Sequence, residues 1–570
     1  MRKLFKSIIL VLISAFSITA QSKWAGNESP TYDELHLTLK QLASKNKEIE
    51  LYNMGNSDYG LPIYVCIVNG AGDSTKTFAK AKNETTILIN NAIHPGEPDG
   101  VNAMLLWLEE WIKAGKKTKD LPVIAFIPAY NVGGMMNRSS TSRANQNGPE
   151  EYGFRGNARN FDLNRDFIKM DAENTFTFAR IFHSLDPDVF VDNHVSNGAD
   201  YQYTLTYISS LKARLAPSIQ TLTYEKLIPE LKSQLKKRGT DLFPYVELKG
   251  ETPVEGIVAF NDLPRYAMGY ASLFHSLSFT VETHMLKPFP ERVLVTKQFM
   301  EELTKWTFEN KKAIELSRKS AREWEQNMNY FKFNYTISEQ KDSVLFKGFE
   351  HSFPMNETTN LKRLFYDRSK PYVRFIPNFC HSIAKDSVVV PEFYVVGAQE
   401  KETILRLKAN TIQFQTLAKD SLMELTVSVV ADYKSNSKPY EGHFKHREIQ
   451  IKQKKVEIKL KKGDILIPSK QQGAFFIHSV LQSRAEDSYL SWNFYDSYLQ
   501  QKEYFSNYVF IDQVAEILKA NPELKAKFMA KKDSDTNFRN SEWEQLYFIY
   551  SNSPYFEQTF MRLPVYEKLN

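Results

Sequence analysis

What the chain has little of narrows its class first. It has 2 cysteines in 570 residues, Cys66 and Cys380. Their separation suits neither a metal cluster nor a disulfide framework, so both read as buried thiols. Beyond the first 20 residues no apolar run is long and uncharged enough to span a bilayer, so no stable membrane span is expected. Neither sign of charge dominates: 73 Lys and Arg face 67 Asp and Glu. Three of the six net positive charges are Arg2, Lys3 and Lys6, and the other basic residues are spread along the chain. Nothing there calls for a nucleic-acid partner. The G-x-S-x-G elbow of serine hydrolases is missing, and so is an H-E-x-x-H zinc helix. No repeat or low-complexity tract stands out. With 42% hydrophobic and 13% aromatic residues the chain is globular, and its length suits about two to four domains.

The N-terminus joins a basic stretch, Met1-Arg2-Lys3-Leu4-Phe5-Lys6, to an apolar one from Ser7 to Thr19, followed by Ala20-Gln21. That pattern reads as a cleaved signal peptide over 1–20, giving a secreted or periplasmic protein. No cysteine lies near Ala20, so lipid attachment is not expected there.

Periodicity gives the fold class. Residues 31–48 place Tyr32, Leu35, Leu39 and Leu42 near one helical face. Strands are expected at 61–68, 85–93, 121–128, 188–192 and 278–282. A helix with Val101, Met104, Leu105, Leu108 and Trp111 on one stripe separates the second and third, and another covers about 172–184. Apolar strands alternating with helices mean an α/β protein, a mixed sheet with helices on both faces. Such sheets bind ligands at the carboxyl ends of their strands. His94, His194 and Glu282 all fall at or just past a strand end. In His94-Pro95-Gly96-Glu97 an imidazole and a carboxylate stand three residues apart on a turn, a pairing that suits zinc.

Three further patches follow: the run from Arg155 to Phe167 with Asp162-Leu163-Asn164-Arg165, then Val191-Asp192-Asn193-His194, then Phe279-Thr280-Val281-Glu282-Thr283-His284. H-x-x-E, D-x-N-R, a His ending a strand and a Glu ending another, in that order, resemble the zinc carboxypeptidase family, the carboxypeptidase A-like metallopeptidases. The resemblance covers roughly residues 30–320 and implies a carboxypeptidase-like catalytic domain over 28–325. It implies one Zn2+ per chain held by His94, Glu97 and His194, with one position left open. It gives Glu282 the general base and Asp162 a hydrogen bond that fixes the first ligand histidine. Asn164 and Arg165 would grip a substrate's terminal carboxylate. Arg155 matches best as the group facing the oxyanion, with Arg143 and Arg159 as competitors. Tyr270 would cap the site, with Tyr266 as the alternative. His284 reads as structural. Asp166-Phe167 and Pro98-Asp99 depart from the digestive enzymes and bear on side-chain specificity.

Residues 291–328 read as one long charged helix. From about 335 the hydrophobic period becomes 2, so 335–470 reads as a β-rich module with a helix at Leu405–Asn410. The remainder, 471–570, is aromatic-rich, an α/β or helical region packing on the rest. Its Ser491-Trp492-Asn493-Phe494-Tyr495-Asp496 resembles a C-terminal region of some bacterial members of the family. The expected function is a zinc metallocarboxypeptidase acting on peptides or proteins with a free C-terminal carboxylate. The alternatives are a zinc amidase or deacylase on N-acyl amino acids or cell-wall peptides, and a non-catalytic peptide-binding relative.

Overall fold

The structure, a computed structural model, describes residues 22–569; the expected signal peptide lies outside them. Among the described residues no helix is long and apolar enough to cross a membrane.

The N-terminal part is built on an eight-stranded sheet. In chain order its strands are β1 (Ile49–Asn56), β2 (Pro62–Val68), β3 (Thr86–Asn90), β4 (Val123–Ile127), β5 (Val189–Ser196), β6 (Leu205–Ser209) and β7 (Leu242–Pro244). Two short strands, β8 (Glu247–Leu248) and β9 (Ile257–Val258), precede β10 (Leu277–His284), which completes the sheet. The order is β1-β2-β4-β3-β5-β10-β6-β7. The middle strands β4, β3, β5 and β10 run parallel, with β1 in the same direction, and β2, β6 and β7 run against them. Every residue of β3, β4 and β5 is buried, as the unbroken apolar runs require of strands covered on both faces. Helices Asp99–Lys113 and Glu173–Leu185 lead into β4 and β5. From β3 the chain crosses to β4 on one side and later to β5 on the other. The strand order therefore reverses between β3 and β5, which opens a crevice at their carboxyl ends.

The expected 291–328 helix is two helices, Phe289–Glu309 and Lys311–Asn327, broken at Asn310. The break lets the first pack on the helix Asp99–Lys113 while the second reaches the helix Ala474–Leu481. A β-rich region follows. Strands β11 (Tyr330–Ile337) and β14 (Ser382–Val389) pair antiparallel, and β12 (Asp342–Ser352) pairs with β13 (Phe365–Phe379). β13 also continues β9 and β8, so this sheet is shared with the N-terminal part. A six-stranded sheet holds β15 (Phe393–Val396), β16 (Gln415–Thr416), β17 (Ser421–Ser435), β18 (His446–Leu460), β19 (Ile465–Pro468) and, near its middle, the last strand, β20 (Arg562–Lys568). Helices between residues 507 and 551 form a small core of their own around Phe510, Phe528 and Phe538. The main hydrophobic core runs on from the eight-stranded sheet into this region, where Phe274 stacks on Phe476 at 5.8 Å. Cys66 is buried in β2, while Cys380 is only half-buried.

Candidate active site

The site grows from the end of β3. After Asn91 the chain turns out of the sheet through Ala92, whose φ of 54° is uncommon for a residue with a side chain. His94 and Glu97 follow, 2% and 3% exposed. His194 lies in β5, next to β3, and is 4% exposed. Nδ1 of His94 is 3.4 Å and Nδ1 of His194 is 3.1 Å from Glu97 Oε2. The two rings meet edge-on with centroids 4.9 Å apart. One ligand atom from each of the three residues fits within a 4.8 Å span.

The outward nitrogens are tied back. Asp162 Oδ1 sits 2.9 Å from His94 Nε2, and Asp192 Oδ2 sits 2.7 Å from His194 Nε2. Each imidazole therefore has one nitrogen held by a carboxylate and the other turned inward. His94 Nδ1 is buried and has no hydrogen-bond partner among the described residues. Arg143 donates from Nη1 to Glu97 Oε1 at 2.8 Å, which leaves Oε2 as the oxygen facing the two imidazoles. That approach needs Gly96, because a Cβ there would come within 2.6 Å of Arg143 Cδ. Two inward nitrogens and one carboxylate oxygen, oriented by outer carboxylates, fit a zinc ion with one position left open. Burial opposes ionisation of Glu97, but Arg143 and His94 outweigh it and hold the carboxyl well below the usual range. Burial likewise opposes the charge on Asp162, and His94 and Arg155 overcome it.

Glu282 stands beside His194. The two are register partners on parallel strands β10 and β5, so their side chains share one face. Burial raises the Glu282 carboxyl to about 8, against the pull of His194 and with a further push from Glu97. The cleft at this end of the sheet has a volume of about 500 Å³, and Arg155, Asn164, Arg165 and Glu282 line it with His94, Glu97 and His194. Arg155 is 44% exposed and reaches Asp162 Oδ2 at 2.9 Å and Glu97 Oε1 at 3.4 Å. Arg159 instead donates to Asp171 O at 2.6 Å and does not line the cleft. Asn164 Oδ1 accepts from Ala267 N at 2.9 Å. The Arg165 guanidinium lies 4.6 Å from the Tyr266 ring centroid.

Tyr270 is not in the cleft, which corrects the expectation for it. It is 1% exposed, donates to Asn410 Oδ1 at 2.6 Å and lies 3.0 Å from His183 Nε2. The reason is local. Tyr270 is inside the helix Ala267–Ser272 and faces the core, whereas Tyr266 precedes that helix with an extended backbone and turns to the cleft. Tyr245 joins Tyr266 on the cleft wall and carried no sequence signal. His284 is structural: its Nε2 donates to Ala199 O at 2.8 Å. Both departures from the digestive enzymes are structural as well. Asp99 accepts from Arg292 and Thr283, and Asp166 pairs with Lys169 at 2.6 Å, all buried. The residue sequence reasoning missed is Asp192. Its signal was available, since positions i and i+2 of a strand share a face and Asp192 stands two before His194.

Residues 35–198 match the family model of zinc carboxypeptidases. That stretch is similar to a zinc carboxypeptidase domain. The matched stretch includes His94, Glu97, Asp162, Arg165, Asp192 and His194, and ends before Glu282. No curated protein matches the chain. Among solved structures it is similar to a metallo-carboxypeptidase from Burkholderia cenocepacia, at 15% identity over 50% of this chain and 70% of that one, with a TM-score of 0.36. A metallo-carboxypeptidase from Pseudomonas aeruginosa in complex with (2-guanidinoethylmercapto)succinic acid is 15% identical, over 50% and 70% of the two chains, with a TM-score of 0.35. Bovine thrombin-activatable fibrinolysis inhibitor is 13% identical, over 52% and 99%, with a TM-score of 0.37.

Proposed function

We propose that the protein is a zinc metallocarboxypeptidase that hydrolyses the peptide bond next to a free C-terminal carboxylate. The observation that carries this reading is the pairing of an inward-facing His94–Glu97–His194 set with Glu282 one strand away in the same cleft. Zinc, when bound, lowers the pKa of water and polarises a carbonyl. His94, Glu97 and His194 would hold one such ion per chain, and Asp162 and Asp192 keep the two imidazoles in the ligating tautomer. Glu282 takes the proton from the attacking water and passes it to the leaving amine. Arg155 faces the oxyanion: its Nε and Nη1 are engaged at Asp162 and Glu97, and Nη2 is bound by no described residue. Arg143 is the weaker candidate, being 15% exposed and committed to Glu97 Oε1. Arg165, backed by the Tyr266 ring, and Asn164 bind the substrate's carboxylate. Export rests on the sequence of residues 1–20 alone.

The test is Glu282→Gln, which keeps size and hydrogen bonding but cannot accept the proton. General-base catalysis is worth about 10²–10⁴-fold, and kcat on a C-terminally varied peptide panel should fall at least that far while zinc content is unchanged. Glu251→Gln, at an exposed position on a loop outside the cleft, serves as the active control. Turnover by Glu282→Gln close to wild type would remove it as the base. Wild-type protein that binds peptides with zinc present but never cleaves them would favour the binding relative.

A further inference from the structure

The C-terminal region touches the segment that carries Asp162, Asn164 and Arg165. The contact comes from the tip of the hairpin between β17 and β18, residues 436–445. Tyr440 and His443 exchange backbone hydrogen bonds of 2.8 and 3.1 Å, so Glu441-Gly442 form a two-residue turn. Both have positive φ, 50° and 83°. Such turns favour Asn, Asp or Gly at both central positions, and Glu in the left-handed region is strained. Local turn chemistry therefore does not explain Glu441.

Its side chain does. Glu441 Oε2 accepts the backbone N–H of Asp162 at 2.8 Å, across 279 residues of sequence. On either side of it the tip makes two further contacts with the same segment. Gly442 lies against Phe161, where a Cβ would come to 3.1 Å of the ring. His443 Nε2 is 2.7 Å from Asp171 Oδ2. The helix Lys401–Ala409 adds Arg406, which donates to Lys169 O at 2.5 Å and Met170 O at 3.1 Å. The hairpin is itself braced, with Tyr440 stacked 5.9 Å from Trp492. Asp487, five residues before Trp492, pairs at 2.8 Å with Arg265, the neighbour of Tyr266.

We infer that Glu441 is a positioning residue for the active site, and that the hairpin 436–445 completes that site from the C-terminal region. Held by Glu441, the Asp162 backbone fixes the carboxylate that orients His94 and, two and three residues on, the Asn164–Arg165 pair. The kinetic part of this inference rests on the proposed peptidase reading.

Glu441→Gly separates positioning from folding, because glycine relieves the positive φ while deleting the carboxylate. The thermal midpoint should hold or rise. KM for an N-acyl dipeptide with a free carboxylate should rise about tenfold, the scale of one hydrogen bond to a charged group, with kcat changed less than KM. Glu441→Gln, which keeps an acceptor oxygen, should recover most of the loss. Glu448→Gln, on the same hairpin but paired among the described residues with Lys434 and Arg447 alone, should match wild type. Hydrogen exchange over residues 161–165 should speed up in Glu441→Gly and return in Glu441→Gln. Unchanged KM and unchanged exchange in Glu441→Gly would overturn the inference, as would a loss that Gln does not restore. If wild type cleaves no peptide, the peptidase reading is what fails, and exchange over 161–165 alone decides whether Glu441 positions the segment.

Discussion

Asp192 offers the sharpest test of how the metal centre is built. Its Oδ2 lies 2.7 Å from His194 Nε2, its Oδ1 accepts Asn90 Nδ2 at 2.9 Å, and the residue has no exposed surface. Asp192→Ala leaves both donors buried without a partner and frees the imidazole to rotate or change tautomer. A hydrogen bond involving a charged group is worth about 1.5–3 kcal/mol, which converts to a roughly ten- to 150-fold weaker zinc site if the whole loss falls on binding. Replacing the outer partner of a ligating histidine typically costs about 10–100-fold in metal affinity, the same range by an independent route. Asp192→Asn keeps the shape and one acceptor oxygen, so it should fall between Asp192→Ala and wild type. The assay is competition against a chromogenic zinc chelator at neutral pH, with the metal-free thermal midpoint recorded for each variant. Some loss of metal-free stability is expected from the two orphaned donors, but affinity should fall even in variants that remain folded. A folded Asp192→Ala protein binding zinc within twofold of wild type would refute the reasoning, and with it the claim that this carboxylate orients His194.

Other outcomes follow from the same geometry. His94→Ala should reduce bound zinc from one ion per chain to none after dialysis, measured by elemental analysis, because two side-chain ligands remain. Amidating the substrate's C-terminus should cost on the order of 2–5 kcal/mol in kcat/KM, the scale for leaving one member of a buried charge pair alone; equal turnover of acid and amide would favour the amidase reading. Buried His36 and half-buried His183 are both pushed down from 6.5 to about 4, chiefly by desolvation. A histidine with a depressed folded pKa contributes stability that is present above 6.5 and lost as the pH falls towards 4. Thermal midpoints should therefore drop over that interval, and His183→Gln should flatten the drop; an unchanged slope would show that His183 does not carry it.

Much of the fold was legible because its signals are local. Uniformly apolar runs gave β2, β3, β4, β5 and β10, and their alternation with amphipathic helices gave an α/β sheet. His94 and Glu97 could be paired by eye, since one turn aims both side chains, and His194 and Glu282 stood out as polar residues at apolar strand ends. What sequence spacing could not supply was orientation. Tyr266 and Tyr270 are four residues apart, and only the start of the helix at Ala267 sends one to the cleft and the other to the core. The 291–328 pattern is helical throughout, and the break at Asn310 is decided by what each half packs against.

The sequence by itself determined which chemistry is available: imidazoles, carboxylates and guanidinium groups at the ends of buried strands, because burial pattern and chain direction are written in residues close together. Tertiary structure alone decided who holds them in place. Asp192 shares a face of β5 with His194 by local geometry, but its other oxygen finds Asn90 only when β5 lies beside β3. Glu441 acquires its contact only when a hairpin 279 residues away closes on Asp162. Contacts across such distances depend on the summed packing of every element between them, and no local periodicity records that sum.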